Sequence, residues 1–521
     1  MRTPSLPVTD AVHAVAHATL LRTEPAEVNP PDWRVDWADG PWPVKVYSGG
    51  ERTPLGRSAP LDRLLLHSVA IGRVRLDPRG GMPASPDNPV PRPLGAVFVA
   101  RRPIPSGGAM YPTEVYAVLT GEDRVCHYDP YRHELTDLRH PAPRAALRAA
   151  LGVPADADLP PVVLVLANRF WKTFFKYGDF AWRLGAVDTG VALGRVVALA
   201  EAGFGSADVR VDFDDAALDR LLGLDGEHES AYAVVGLGAA VACPADTAAV
   251  ADPAPPATVE RSKRIKRSPR FDAMHAASRG TATPSGQGFG APRADLPEDA
   301  RRPNGTLPAI ALGPAADIDP LDPAVLLRRT SSGRRFDGRP VRVDGVSAVL
   351  SHAVEALRRL RRVSGGLLGQ DVELHCAAHR VERAPRGWYR YDHRGARLVA
   401  SGIGTGDDSA LVLQRAQLAD SINIELAAFT VHVTAPVDFL ARGRGVRGYR
   451  EQQLAVGAAV DALALAATAA GLGSHPVLGF DAGTVDRAYG LPAGTGAHAQ
   501  ISVGLTRPVV NWEISVVPDE R

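Results

Sequence analysis

The sequence predicts an α+β protein built from two copies of one unit in tandem, and three observations carry that expectation. Gly203-Phe204-Gly205-Ser206 and Gly471-Leu472-Gly473-Ser474 lie 268 positions apart, and Val235-Gly236-Leu237 and Val503-Gly504-Leu505 are separated by the same 268. Ser106-Gly107-Gly108 precedes a strand pattern and then His127-Tyr128-Asp129, while Ser364-Gly365-Gly366 precedes a strand pattern and then Arg390-Tyr391-Asp392. Between about Pro244 and Pro308 the apolar periodicity disappears and Pro, Ala, Asp, Arg, Ser and Gly dominate. The expected organisation is a first domain over 1–243 with an N-terminal extension, a flexible linker over 244–308 and a second domain over 309–521.

Each unit reads in order as helix, Gly-rich turn, strand, second strand, long helix and closing strand. Val115–Leu119 and Val372–Cys376 carry the β-branched and apolar run of a first strand, and Val162–Leu166 and Phe429–Val433 that of a second. Gly185–Ala202 and Gln453–Ala470 are rich in Ala, Val and Leu on nearly every face, and each runs up to a glycine suited to a left-handed cap. A helix that is apolar all round is buried. These two are therefore expected as central helices where the units meet, forming an intramolecular pseudo-dimer.

Bulk composition excludes several classes. A chain of 521 residues with 45% hydrophobic content can bury more than one core. Lys and Arg number 59 against 58 for Asp and Glu, which gives no global field to recruit nucleic acid or an anionic membrane. Cys126, Cys243 and Cys376 are far apart, without a CxxC or a nearby His pair, so neither a disulfide framework nor a metal site is expected. The first 22 residues are broken by Pro4, Pro7 and Asp10 and lack a secretory apolar core. The run Val162–Ala167 is strand-sized, short of the ~20 residues that span a bilayer. A soluble cytoplasmic protein is the expectation.

The candidate chemistry begins at Arg101-Arg102-Pro103-Ile104-Pro105-Ser106-Gly107-Gly108-Ala109-Met110-Tyr111-Pro112-Thr113-Glu114-Val115-Tyr116. Proline and two glycines let backbone approach a planar ring closely, and Ser106 offers a hydroxyl and an amide toward polar ring edges. The segment resembles the flavin site of SagB-type dehydrogenases in the nitroreductase superfamily, enzymes that use FMN to turn azolines into azoles. On that resemblance Arg102, Pro105, Ser106 and Gly107 are cofactor-binding candidates, and the fold is a tandem of two nitroreductase-like domains. Lys176-Tyr177, ahead of the first central helix, resembles the family's catalytic Lys-Tyr pair. Aromatising an azoline removes a proton from one ring carbon and a hydride from the other, so a base must face the flavin across the substrate. Tyr177 can be that base with its pKa lowered by the neighbouring ammonium, or Lys176 itself if desolvated.

The second unit contributes a different motif. Leu327-Arg328-Arg329-Thr330-Ser331-Ser332-Gly333-Arg334-Arg335-Phe336 resembles the Arg/Ser motif with which nitroreductases hold the flavin phosphate, and guanidinium forks suit phosphate oxygens. Arg328, Arg329, Ser331 and Arg335 are the candidates, joined by Arg507 near the closing strand. Gly333 departs from the commonest spacing, which leaves open which arginine is the ligand. The first unit has Leu64–Gly72 and Ala239 at the corresponding places, and the second has Gly445-Val446-Arg447 where the Lys-Tyr pair would fall. Each unit thus lacks what the other keeps. The expectation is one composite site per chain, with one FMN, phosphate arginines from unit two, and Ser106, Lys176 and Tyr177 from unit one.

The resemblance also implies partners: an azoline-containing ribosomal precursor peptide, a cyclodehydratase that makes the azolines, and dioxygen as final electron acceptor; the chains could pair further as a homodimer. Another flavin oxidoreductase, such as a cyclic-dipeptide oxidase or a nitroreductase, and a non-catalytic peptide-binding scaffold are the alternatives. The basic run Arg261–Arg267 reads as solvated surface or as a contact for acidic peptide. Gly443-Arg444-Gly445-Val446-Arg447-Gly448 fits G-x-G-x-x-G without the downstream acidic partner of a Rossmann site, and Arg447 and Tyr449 are either pocket-lining or structural.

Overall fold

The computed structural model describes residues 35–77, 97–243, most of 255–279, 284 with 286–290, 308–328, 335–401, 408–418, 422–439, 444–507 and 512–516. Two seven-stranded sheets dominate. In the first the strand order is Arg52–Pro54, Glu134–Asp137, Arg124–Asp129, Thr113–Leu119, Val162–Arg169, Glu229–Leu237 and Ala207–Arg210. In the second it is Ala309–Ala311, Arg397–Ala400, Gly387–Asp392, Glu373–Ala378, Phe429–Pro436, Thr495–Gly504 and Gly473–Val477. The two orders are the same when the strands of each unit are counted along the chain, so the repeat in the sequence is a repeat in topology.

The central helices, Ala181–Phe204 and Arg447–Ala469, pack against each other at the middle of the molecule. Glycines on both make that approach possible. A Cβ on Gly190 would lie 2.2 Å from the Leu454 carbonyl oxygen, and one on Gly457 would lie 2.1 Å from that of Val187. Trp182 stacks on Tyr449 with ring centroids 5.0 Å apart. Arg195 meets Asp461 in a two-pronged buried ion pair, with nitrogen to oxygen distances of 3.0 and 2.9 Å. The second helix starts six residues before the apolar pattern suggested, because its first turns carry Arg447, Arg450 and Glu451. These are buried but paired: Arg447 and Arg450 both bond Asp215 of the first unit, the latter at 3.1 Å. The helix is long and apolar enough to cross a membrane, with a mean hydropathy of 1.3, yet 89% of its apolar window is buried inside the protein.

The second unit also adds a strand to the first. Trp512–Ser515, at the end of the second unit, pairs antiparallel with Arg73–Asp77 of the first, which pairs in turn with Val97–Arg101. The stretch expected as a flexible linker is packed structure over much of 255–279. Thr258–Val259 pairs with Val46–Tyr47, and Pro269–Arg279 is a helix whose Phe271 is fully buried. The sequence conceals this helix because its inward stripe, Phe271, Met274, His275 and Ser278, has helical spacing but only two strongly apolar members.

Candidate active site

Strand Val97–Arg101 leads into the turn that carries the first set of candidates. Arg102 is buried; its Nη1 donates to the Thr113 carbonyl oxygen at 3.1 Å and its guanidinium lies 5.2 Å from the centroid of the Tyr111 ring. Its Nε and Nη2 have no hydrogen-bond partner within the protein. A buried guanidinium with two unpaired donors is costly unless a ligand acceptor meets it.

Ser106 points elsewhere than expected. Its hydroxyl donates to Asp188 Oδ2 at 2.6 Å and accepts from the Tyr111 amide at 2.8 Å, while the Gly107 amide donates to Asp188 Oδ1 at 3.1 Å. The hydroxyl proton and the Gly107 amide are both committed to the central helix, so neither is left for a planar ligand. Asp188 is the anchor that holds the turn. Burial pushes its carboxyl up to about 7, against the opposing pull of the hydrogen bonds from Ser106 and Gly107.

Lys176 and Tyr177 end the helix Trp171–Tyr177, whose cap Gly178 has φ +55°. Both side chains converge on the turn. A Cβ built on Gly108 would lie 2.3 Å from Tyr177 Oη and 2.7 Å from Lys176 Nζ, and Gly108 itself has φ +58°. The Lys176 ammonium is 5.1 Å from the Tyr177 ring centroid and 5.8 Å from that of Trp37, while Phe180 meets Tyr177 edge-on at 6.4 Å. An ammonium and a phenol are thus held in a half-buried aromatic corner directly over the Gly-Gly backbone. One turn earlier on the same helix, fully buried Lys172 donates to the carbonyl oxygens of Tyr111 at 2.8 Å and Pro43 at 2.6 Å. Burial brings its pKa down to about 7 in spite of the Glu114 carboxylate 3.9 Å away. Lys172 therefore ties the helix bearing Lys176 and Tyr177 to the segment bearing Ser106.

The phosphate candidates form a second cluster. Arg507 donates its amide to the Arg335 carbonyl oxygen at 2.9 Å, beside the bridge between Phe336 and Thr506, so two exposed guanidinium side chains share one corner of unit two. Arg328 is exposed at the end of helix Pro323–Arg328. Arg329 and Ser331 lie outside the described residues. Among the described residues no hydrogen bond or ion pair joins this cluster to the Ser106 turn.

The matching places in the other unit are structural. Gly365 and Gly366, with φ of +60° and +83°, close the helix Val343–Val363 by donating to Arg362 and Arg361, and the Ser364 hydroxyl bonds the Arg361 carbonyl. The 268-residue offset puts Val456 where the first unit has Asp188, so no carboxylate anchors that turn. Arg447 is spent on Asp215 and Tyr449 on Trp182, which makes both packing residues of the pseudo-dimer. Asp188 and Lys172 were missed in the sequence. The one signal for each is a charge set among apolar neighbours, shared with Lys176 on the short helix and with Arg183, Arg195 and Glu201 on the long one.

The chain matches the nitroreductase family over residues 87–239 and again over 326–505, more than half its length, and it belongs to that family. The two matches fall on the two sheets, and the fold is that of a flavin oxidoreductase. A crystal structure of a "putative nitroreductase" from Anabaena variabilis superposes with a TM-score of 0.69 at 20% identity, covering 95% of this chain and 99% of that one. Both units and their arrangement are therefore shared. A curated "putative nitroreductase" of Methanocaldococcus jannaschii is 29% identical over 122 residues, 22% of this chain, and the match spans 59% of that relative's length. A chain of the E. coli microcin synthetase complex, solved with truncated pro-MccB17 bound, aligns at 21% identity with a TM-score of 0.28, over 46% of this chain and 99% of that one.

Proposed function

We propose that this chain is an FMN-dependent dehydrogenase that oxidises azolines to azoles in a ribosomally made peptide, at one composite site per chain. The observation that carries the reading is the convergence of Lys176 Nζ and Tyr177 Oη over the Gly107-Gly108 backbone. A reductase of this fold needs no dedicated base, whereas desaturating a ring carbon does.

The residues fit a flavin. Arg102 holds two buried donors, Nε and Nη2, without protein partners, and a ligand acceptor would satisfy them. Arg335 and Arg507, joined through their backbones, bring two exposed arginines together, and guanidinium groups of that kind hold phosphate. FMN, when bound, supplies the two-electron acceptor. The chain's own part is to hold the azoline in the aromatic corner of Trp37, Tyr177 and Phe180 and to take its carbon-bound proton. Tyr177 Oη receives that proton as phenolate with Lys176 balancing the charge, or Lys176 Nζ receives it as the neutral amine. The precursor peptide is the substrate partner in this reading, and a cyclodehydratase must act before it.

Tyr177→Phe and Lys176→Ala are expected to keep FMN bound and to lower kcat for azoline oxidation by ~10²-fold or more for whichever residue is the base. Turnover with an azoline peptide, with released flavin quantified for each variant, checks this. Undiminished turnover in both variants removes the pair from the mechanism.

A further inference from the structure

We propose that the segment joining the two units is a positioning element of the active site, with Ser268 as its chief contact. The inference rests on reading Lys176 and Tyr177 as the catalytic pair. It starts from the polar contacts of Ser262, Lys263 and Ser268 with the elements around Lys176.

Three pieces of chain form the corner around Lys176: the helix Trp171–Tyr177, the turn Gly178–Phe180 that follows it, and the short helix Trp37–Asp39 that brings Trp37 to the ammonium. The joining segment holds each of them. The Ser262 hydroxyl accepts from Trp171 Nε1 at 2.8 Å and donates to the Asp39 carbonyl oxygen at 2.8 Å. The Lys263 amide donates to Asp39 Oδ1 at 2.6 Å. The Ser268 hydroxyl donates to Asp179 Oδ1, two residues beyond Tyr177, and accepts from the Phe271 amide at 3.1 Å, which caps the helix Pro269–Arg279. Phe271 then wedges between Phe170 and Phe174, with centroids at 5.4 and 5.2 Å.

Asp179 makes the Ser268 contact consequential. It is fully buried, burial pushes its pKa up, and its Oδ2 has no hydrogen-bond partner in the protein. Removing the Ser268 hydroxyl would leave a buried carboxyl with no side-chain donor. The turn would have to move to reach water, and Gly178, with φ +55°, is the joint at which it can swing. Tyr177 is on that joint. The far end of the segment is fixed on the first unit by His275 to the Gly226 carbonyl oxygen at 2.6 Å and by Arg279 to Asp219 at 2.9 Å. Ser268 is therefore a positioning residue, acting on the reaction only through Tyr177.

The test uses the full chain loaded with FMN, in wild-type, Ser268→Ala, Ser268→Thr and Ser262→Ala forms. Hydrogen exchange over residues 171–180 and the fluorescence of bound flavin, which a tyrosine beside the ring would quench, are measured alongside turnover of an azoline peptide. Ser268→Ala is expected to speed exchange in that segment, raise flavin fluorescence toward that of Tyr177→Phe, and lower kcat by about tenfold with KM little changed. Ser268→Thr is expected to restore all three. Ser262→Ala releases the opposite end of the same helix and shows the same signs if Ser268→Ala does not fold. Unchanged exchange and fluorescence overturn the proposal, as does a faster exchange with undiminished kcat. A wild-type protein that leaves azolines untouched sinks the azoline reading alone, because exchange and fluorescence still decide the positioning role.

Discussion

Gly108 shows how much of the site one residue can fix. The sequence places a Ser-Gly-Gly turn and a Lys-Tyr pair 68 positions apart, from Gly108 to Lys176, and the structure puts the second over the first. Gly108→Ala would drive a methyl group to 2.3 Å from Tyr177 Oη at a φ that side chains avoid. The expected result is a stability loss of only ~1–2 kcal/mol but oxidation lowered by at least ~10-fold, since a displaced base costs far more than a strained turn. Denaturant midpoints and kcat measured together check it; full activity would mean the convergence is incidental. Asp188 makes a second prediction. Its folded pKa is about 7 and the unfolded value about 4, so between those the folded chain keeps a proton that the unfolded chain has released. Its contribution to stability must fall as pH rises through that window. Asp188→Asn has no such proton, and its stability measured from pH 4 to 7 should decline less than that of wild type. Parallel declines would place the titration elsewhere. The motifs were legible because glycine and paired polar residues leave a local mark. Asp188 and Lys172 were not, because what matters about each is a partner distant in sequence.

Among the elements, the central helices were the most legible and the joining segment the least. An Ala- and Val-rich helix without a polar face has only one place to go, and both such helices are found at the pseudo-dimer interface. Their polar starts were hidden, since a buried arginine is recognisable only once its carboxylate is found across the interface. The same holds for Arg195 and Asp461. Asp461→Ala would leave Arg195 buried without its carboxylate and is expected to cost about 3–5 kcal/mol. Chemical denaturation of the whole chain checks this; a loss below ~1 kcal/mol would show that the pair contributes little to holding the units together. The segment between the units conceals its structure for a different reason. Its composition is that of a tether, but a short helix needs only Phe271, Met274 and a capping serine to dock on a surface already built.

At the scale of the whole molecule, the chain is two related units in which matching places have taken different roles. The first keeps the carboxylate-anchored turn and the Lys-Tyr pair, and the second keeps the arginine corner of Arg335 and Arg507. Where the second unit would repeat the first, Arg447 is locked to Asp215 and the Ser364 turn is a helix cap. A molecule with that asymmetry should hold one flavin rather than two. The measurement that tests this most directly is the absorbance spectrum of the purified, FMN-supplemented protein from 300 to 550 nm, with released FMN quantified against chain concentration. The account predicts a yellow protein with close to one FMN per chain. Two FMN per chain would contradict the composite site, and no bound flavin after supplementation would contradict the enzyme reading altogether.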